Sequence, residues 1–167
     1  MNIKLVITDI DGVWTDGGMY YDIHGNELKK FNTSDSAGVL FLKLLNIPIA
    51  IMTGENVPMV SNRAKKLQIK HVFLGTKDKL KTASDFCEEL GISLDEVAFI
   101  GDDINDIKLL EAAGYSACPE NAPDYVKKQA QHTIPVKGGK GAFRAFVEQL
   151  LKENQLFDKA LELYLNQ

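Results

Sequence analysis

The chain has 167 residues, 45% of them hydrophobic and 25% charged, with a net charge of −4. That length supports one domain with a sizeable core, and the mixed charges form no basic groove, which argues against nucleic acid as a partner. No apolar run approaches a membrane span, the first residues lack a secretory leader, and Cys87 and Cys118 suit neither a disulfide scaffold nor a zinc site, so a cytoplasmic protein without a membrane partner is expected.

Residues 3–7 form a short apolar run that reads as a buried strand and runs out at Asp9. Residues 17–31 read as a β-hairpin, with His24-Gly25-Asn26 as the turn between aromatic and apolar flanks. Helix-spaced apolar residues follow over 36–45, and 47–52 is the second strand, bracketed by Asn46 and Thr53-Gly54. A helix over 57–67 has Pro58 near its first position, where the missing N–H is harmless. The third strand is 71–74, and a helix over 78–90 ends at Gly91 as its C′ residue. The fourth strand, 97–100, runs into Gly101-Asp102-Asp103, and a helix over 105–113 is expected to end at Gly114 in the same way as at Gly91. Short strands at 115–118 and 132–134 and helices at 141–153 and 156–165 complete the chain. This alternation predicts an α/β fold, a doubly wound, mostly parallel sheet flanked by helices, with the hairpin inserted after the first strand. An isolated hairpin is marginal in water, so Met19, Tyr20, Tyr21, Ile23 and Phe31 call for a covering surface, either this domain or another subunit.

The chemistry-bearing residues fall at the ends of successive strands. Asp9 and Asp11 are two apart on extended backbone, so both carboxylates face one side. Open α/β sheets place their ligands at this end. Two such carboxylates repel unless a cation or shared proton lies between them. Thr53 follows the second strand, Lys79 the third, and Asp102, Asp103 and Asp106 the fourth. A carboxylate can attack phosphorus, a second can move the proton, Mg²⁺ takes hard oxygen ligands, and a hydroxyl with an ammonium can hold phosphoryl oxygens. Singly, each has a plainer explanation: a solvated turn, a cap, a surface charge, a helix N-terminus. The joint order is the specific signal. His24, His71 and His132 are scattered, with no metal-ligand spacing.

The sequences Asp9-Ile10-Asp11-Gly12-Val13, Thr53, Lys79 and Gly101-Asp102-Asp103 with Asp106 resemble the four motifs of the haloacid dehalogenase superfamily of phosphatases, over nearly the whole chain. The resemblance implies Asp9 as nucleophile and Asp11 as general acid/base. It implies Mg²⁺ held by Asp9, the main-chain carbonyl of Asp11, and Asp102, with Asp103 and Asp106 orienting that shell and Thr53 and Lys79 binding the phosphoryl group. The hairpin, the run from Phe31 to Gly38, Arg63, and Gly138-Gly139-Lys140-Gly141-Ala142-Phe143-Arg144 are similar to the 3-deoxy-D-manno-octulosonate 8-phosphate phosphatases. That implies no separate cap domain, a homotetramer built through the hairpin, and a sugar-acid phosphate contacted by Asn32, Thr33, Ser34, Asp35, Ser36 and Arg63. Glu55 departs from that pattern. With Lys66 and Trp14 it resembles the related phosphatases of nine-carbon ulosonates such as 2-keto-3-deoxy-D-glycero-D-galacto-nononate 9-phosphate.

Two other readings compete. A signalling receiver domain uses a similar acidic pair, Thr, Lys and Mg²⁺, but its phosphorylated Asp follows the third strand, where this chain has Leu74-Gly75. A non-catalytic assembly domain, like those attached to sugar-nucleotide synthases, would not need the complete chemical set.

Overall fold

The computed structural model describes residues 2–166. In chain order its elements are β1 (Leu5–Thr8), β2 (Tyr20–Tyr21), β3 (Glu27–Leu28), α1 (Asp35–Leu44), β4 (Ile49–Met52), α2 (Pro58–Lys66), β5 (His71–Phe73), α3 (Lys79–Leu90), β6 (Val97–Ile100), α4 (Ile107–Ala112), β7 (Tyr115–Pro119), α5 (Asp124–Lys127), β8 (His132–Ile134), α6 (Ala142–Glu153) and α7 (Phe157–Leu165). Short 3-10 turns precede β6 and α4.

Six strands form one sheet in the order β5-β4-β1-β6-β7-β8, and every pairing in it is parallel. Because strand side chains alternate between faces, each central strand feeds two cores. Leu5 and Ile7, Ala50 and Met52, and Val97 and Phe99 pack beneath α3, α4 and α5. Val6, Ile49 and Ile51, and Ala98 and Ile100 pack beneath α1, α2, α6 and α7. Burial on both faces explains why these strands read as unbroken apolar runs. The chain order reverses between β1 and β6, so the crevice beyond their carboxyl ends is the switch point where this architecture binds ligands. Asp9 and Asp102 are the residues that leave β1 and β6 there.

Trp14 lies in the turn after Asp9 and is wholly buried. Its ring stacks on Phe143 of α6 with centroids 4.6 Å apart. Its Nε1–H donates to Thr8 Oγ1 at 2.9 Å, and that hydroxyl donates to the Asp9 carbonyl at 2.7 Å. Trp14 thus ties the catalytic turn to its strand and to α6, and it presents nothing to a sugar.

The hairpin is shorter than the 17–31 span predicted, with Tyr20 opposite Leu28 and Tyr21 opposite Glu27. Its turn is organised by Asp22, whose Oδ1 accepts from the N–H groups of His24 and Asn26 at 2.8 and 2.9 Å. Met19, Tyr21, Ile23 and Leu28 all stand exposed on it. The predicted helix 105–113 is divided into a 3-10 turn at Ile104–Asp106 and α4. Gly114 does not close it as Gly91 closes α3, in a left-handed conformation. It is required because a Cβ there would lie 2.0 Å from the Asp95 carbonyl oxygen. Helix α5 was not foreseen, because one turn carries too little periodicity to detect. Among the described residues no helix is long and apolar enough to cross a membrane.

Replacing Trp14 by Ala should cost about 3–5 kcal/mol of stability by urea unfolding, the usual loss for a buried Trp. Trp14→Phe, which keeps the stack on Phe143, should lose much less.

Candidate active site

Asp9 leaves β1 with its carboxylate almost fully buried. Oδ1 accepts from the Ile10 N–H at 2.7 Å, and Oδ2 is 3.0 Å from Lys79 Nζ. Lys79 opens α3, whose cap is Asp78, accepting from the Lys81 N–H at 3.0 Å. The Lys79 ammonium also reaches Asp106 Oδ1 at 2.5 Å, with both side chains fully enclosed. Asp106 Oδ2 accepts from the N–H groups of Asp102 and Asp103 at 2.9 and 3.1 Å. Asp106 therefore has both oxygens engaged and sets the loop that carries Asp102. Asp103 Oδ1 turns outward to cap the 3-10 turn through the Ile104 N–H.

Ligand oxygens of Asp9, Asp102 and Asp106 lie within 4.8 Å of one another. Burial raises Asp9 to about 7, the Asp106 charge adds to this, and Lys79 opposes it. Asp102 is raised to about 8 by burial and then by the charges of Asp9, Asp106 and Asp103. Burial works against the Lys79 ammonium, yet Asp9 and Asp106 together hold it above its ordinary value. One lysine thus faces several carboxylates. Asp102 Oδ1 is buried and has no hydrogen-bond partner among the described residues. Such an oxygen beside a second carboxylate is what a hard divalent cation requires. The residues fit Mg²⁺, with Asp9 and Asp102 as the side-chain donors left after Asp106 is committed to Lys79 and the backbone. Bound there, the cation would offset the carboxylate charges and polarise a phosphoryl oxygen.

Backbone crowding makes this approach possible. Gly12 adopts φ +85°, and a Cβ on it would lie 1.8 Å from Asp102 Oδ2. Gly138 would place a Cβ 1.8 Å from the Gly12 carbonyl oxygen, and the Gly139 N–H donates to the Val13 carbonyl at 3.0 Å. The late glycine-rich loop therefore buttresses the catalytic turn, and its Gly141 is also the N-cap position of α6.

Thr53 ends β4 buried, its Oγ1 accepting from the Glu55 N–H at 3.2 Å, which leaves the hydroxyl proton free to donate. Asp11 is more open. Its Oδ1 receives Lys29 Nζ at 2.6 Å and the Thr15 hydroxyl at 3.3 Å.

The residues expected at the sugar divide. Asn32, Ser36 and Arg63 come together: Arg63 Nη2 donates to Ser36 Oγ at 3.0 Å, its guanidinium lies over Phe31, and its Nε is buried without a partner among the described residues. Asn32 Nδ2 donates to the Gly139 carbonyl at 3.1 Å, joining this group to the glycine loop. Thr33 is exposed, and the Ser34 hydroxyl packs where Gly141 lacks a side chain. Asp35 faces inward instead. It is fully buried, and its Oδ1 accepts from the Arg144 N–H at 3.0 Å, capping α6 from a neighbouring element. Glu55 and Lys66 are both exposed and are not brought together. They flank α2, whose nine residues span about 13 Å.

Lys29 and Thr15 were not anticipated. The clue lay in the hairpin, where Glu27 and Lys29 flank the apolar Leu28, but only the fold shows that Lys29 meets Asp11.

A doubly wound sheet with a buried Asp, a Thr, a buried Lys and an acidic loop at its switch point is the arrangement of a haloacid dehalogenase-like hydrolase, and residues 72–146 match the family model so described. The 3-deoxy-D-manno-octulosonate 8-phosphate phosphatase of Haemophilus influenzae is 38% identical over 162 residues, covering 95% of this chain and 90% of that protein. That of Escherichia coli K12 is 36% identical, covering 95% and 85%. The crystal structure of the Moraxella catarrhalis phosphatase with magnesium, phosphate and KDO superimposes with a TM-score of 0.93 at 36% identity, covering 98% of this chain and 94% of that one. The chain belongs to the 3-deoxy-D-manno-octulosonate 8-phosphate phosphatase family. A cobalt-bound structure of the Haemophilus influenzae protein also superimposes, with a TM-score of 0.89 at 36% identity, covering 98% of this chain and 97% of that one.

The raised carboxyls set a pH dependence for the metal-free protein. The folded state binds more protons than the unfolded chain from about pH 4 until Asp9 and Asp102 ionise near 7 and 8. Stability should therefore fall as pH rises through that window. Mg²⁺ should raise the melting temperature more at pH 8 than at pH 5, because it offsets charges that exist only at the higher pH. A stabilisation independent of pH would contradict the assignment.

Proposed function

We propose that this protein hydrolyses the phosphomonoester of a 3-deoxy-ulosonic acid phosphate through an aspartyl-phosphate intermediate, with Mg²⁺ as cofactor. The observation that carries the reading is the Asp9–Lys79–Asp106 chain of contacts beside Asp102, at the switch point of a fold shared with the octulosonate phosphatases. An oxygen of Asp9 attacks phosphorus. The bond to the sugar oxygen breaks, its electron pair stays on that oxygen, and Asp11 supplies the proton. Water then attacks the acyl-phosphate while Asp11 takes its proton, and the departing electron pair restores the Asp9 carboxylate. Lys79 lies against Asp9 and is placed to hold phosphoryl oxygens, and the Thr53 hydroxyl has its proton free to do the same. Asp9→Asn should abolish turnover. Asp11→Asn should reduce it by ~10²–10⁴-fold, the usual worth of a general acid. Phosphate release with Mg²⁺ measures both.

The sugar is proposed to be an eight- or nine-carbon ulosonate, contacted by Asn32, Thr33, Ser34, Ser36 and Arg63. The partnerless Arg63 Nε suits a substrate carboxylate or phosphate. Glu55 can accept hydrogen bonds from hydroxyls of the longer sugar. Because Lys66 lies at the far end of α2 from Glu55, its part is assigned to the site of a neighbouring subunit. A release assay comparing both ulosonates with hexose phosphates tests this. Glu55→Ala should lower kcat/KM for the nine-carbon substrate by ~10-fold, about 1.4 kcal/mol, and leave the eight-carbon substrate nearly unchanged.

The exposed hairpin residues Tyr21, Ile23 and Leu28 support assembly into a homotetramer through this element. Ile23, 95% exposed, has no use for its side chain in an isolated subunit. Ile23→Glu should shift the sedimenting species toward smaller assemblies and lower turnover with it.

A further inference from the structure

We propose that Lys29 is a positioning residue for Asp11: it anchors one carboxyl oxygen so that the other carries the proton to the departing sugar oxygen. This rests on the phosphatase reading above.

The hairpin is exposed almost everywhere, yet the Lys29 side chain is only 2% exposed. An ammonium loses much hydration when enclosed and stays there only against a partner. Its partner is Asp11 Oδ1 at 2.6 Å, with Glu27 Oε1 at 3.9 Å behind it. Glu27 of β3 and Lys29 just after it turn to the same side, while Leu28 between them is 62% exposed. Asp11 Oδ1 also receives the Thr15 hydroxyl, and Thr15 Oγ1 is in turn held by the N–H groups of Gly12 and Gly17 at 3.4 and 3.2 Å. The two Asp11 oxygens are therefore unlike. Oδ1 is met by two donors, one from the hairpin and one from the catalytic turn. Oδ2 is buried with no partner among the described residues.

Because Oδ1 already receives two hydrogen bonds, Oδ2 is the oxygen left able to exchange a proton with the sugar oxygen. As Asp9 forms its bond to phosphorus, the ester P–O bond breaks and its electron pair stays on the sugar oxygen. That oxygen takes the Oδ2 proton. Asp11 is left as a carboxylate facing the Lys29 ammonium, which stabilises the charge as it develops. In this role Lys29 acts only through Asp11.

The test uses the full chain with Mg²⁺ and two substrates. One is an ulosonate phosphate, whose alkoxide must be protonated to leave. The other is p-nitrophenyl phosphate, whose leaving group needs no proton. Lys29→Met should lower kcat on the sugar phosphate by ~10–100-fold, within the range a general acid supplies, with KM little changed. On the aryl phosphate the loss should be at most ~3-fold, and Lys29→Arg should restore most of the sugar phosphate rate. In an Asp11→Asn background Lys29→Met should cost almost nothing more, since coupled residues are not additive. Should the Met variant fold poorly, Lys29→Gln keeps the bulk and is read by the same ratio of substrates. Equal losses on both substrates, wild-type rates, or full additivity with Asp11→Asn would each overturn the proposal. If Asp11→Asn itself failed to distinguish the substrates, the acid role of Asp11 would fall, and the proposal with it.

Discussion

Carboxylates forced together in a dry crevice are the constraint around which this molecule is arranged. Two unit charges ~4 Å apart repel by ~4 kcal/mol at an effective dielectric of about 20. Three carboxylates stand about that close at the switch point. The fold spends its strongest interactions on containing them. Lys79 is buried whole to bridge Asp9 and Asp106, and Asp106 is further held by two backbone N–H groups. That leaves Asp9 and Asp102 with more negative charge than one ammonium can balance, which is why both are raised and why a divalent cation belongs there. The same imbalance bears on the proposed chemistry: an incoming phosphate would meet Lys79 and the cation, with the buried Asp9 carboxylate beside them.

Bringing charges this close needs backbone that can approach without side chains in the way, and three glycines supply it. Gly12 leaves the space that Asp102 occupies, Gly101 the space for Asp106, and Gly138 the space for the Gly12 carbonyl. These contacts join loops distant in sequence into one layer beyond the carboxyl ends of the strands. Asp35 and Asn32 extend the layer, the first by capping α6 and the second by holding Gly139. Burial raises Asp35 to about 6, against the help of the backbone N–H groups of Arg144 and Phe143. Asp35 thereby ties the start of α1 to α6 and its glycine loop.

Much of this was legible in the chain because the central strands are buried on both faces and end in polar residues. Asp9, Thr53 and Asp102 could be placed at strand ends from apolar runs alone, and Lys79 by its position after the next strand. Tertiary partners were not legible. Nothing local distinguishes Asp35 from a helix-start acid that faces solvent, since its role depends on Arg144, 109 residues away. Trp14 resembled a substrate-specific marker, but its neighbours Thr8 and Phe143 make it a brace for the turn. Gly114 looked like a helix stop because glycine often serves there, whereas its reason is a contact with Asp95 across the domain.

The hairpin shows how an enzyme without a cap domain can still control its site. A phosphate alone would be gripped by the buried machinery, which has nothing with which to tell one sugar from another. In the proposed reading, discrimination falls to the rim, where Arg63 and Asn32 come together and Glu55 is exposed. Two adjacent hairpin residues link these tasks, Leu28 at the end of β3 and Lys29 just after it. Leu28 faces outward, toward a covering subunit in the proposed assembly, while Lys29 faces inward onto Asp11. A strand cannot move one of these side chains without moving the other. Packing against the outer surface would therefore bear directly on the geometry of the Lys29–Asp11 pair.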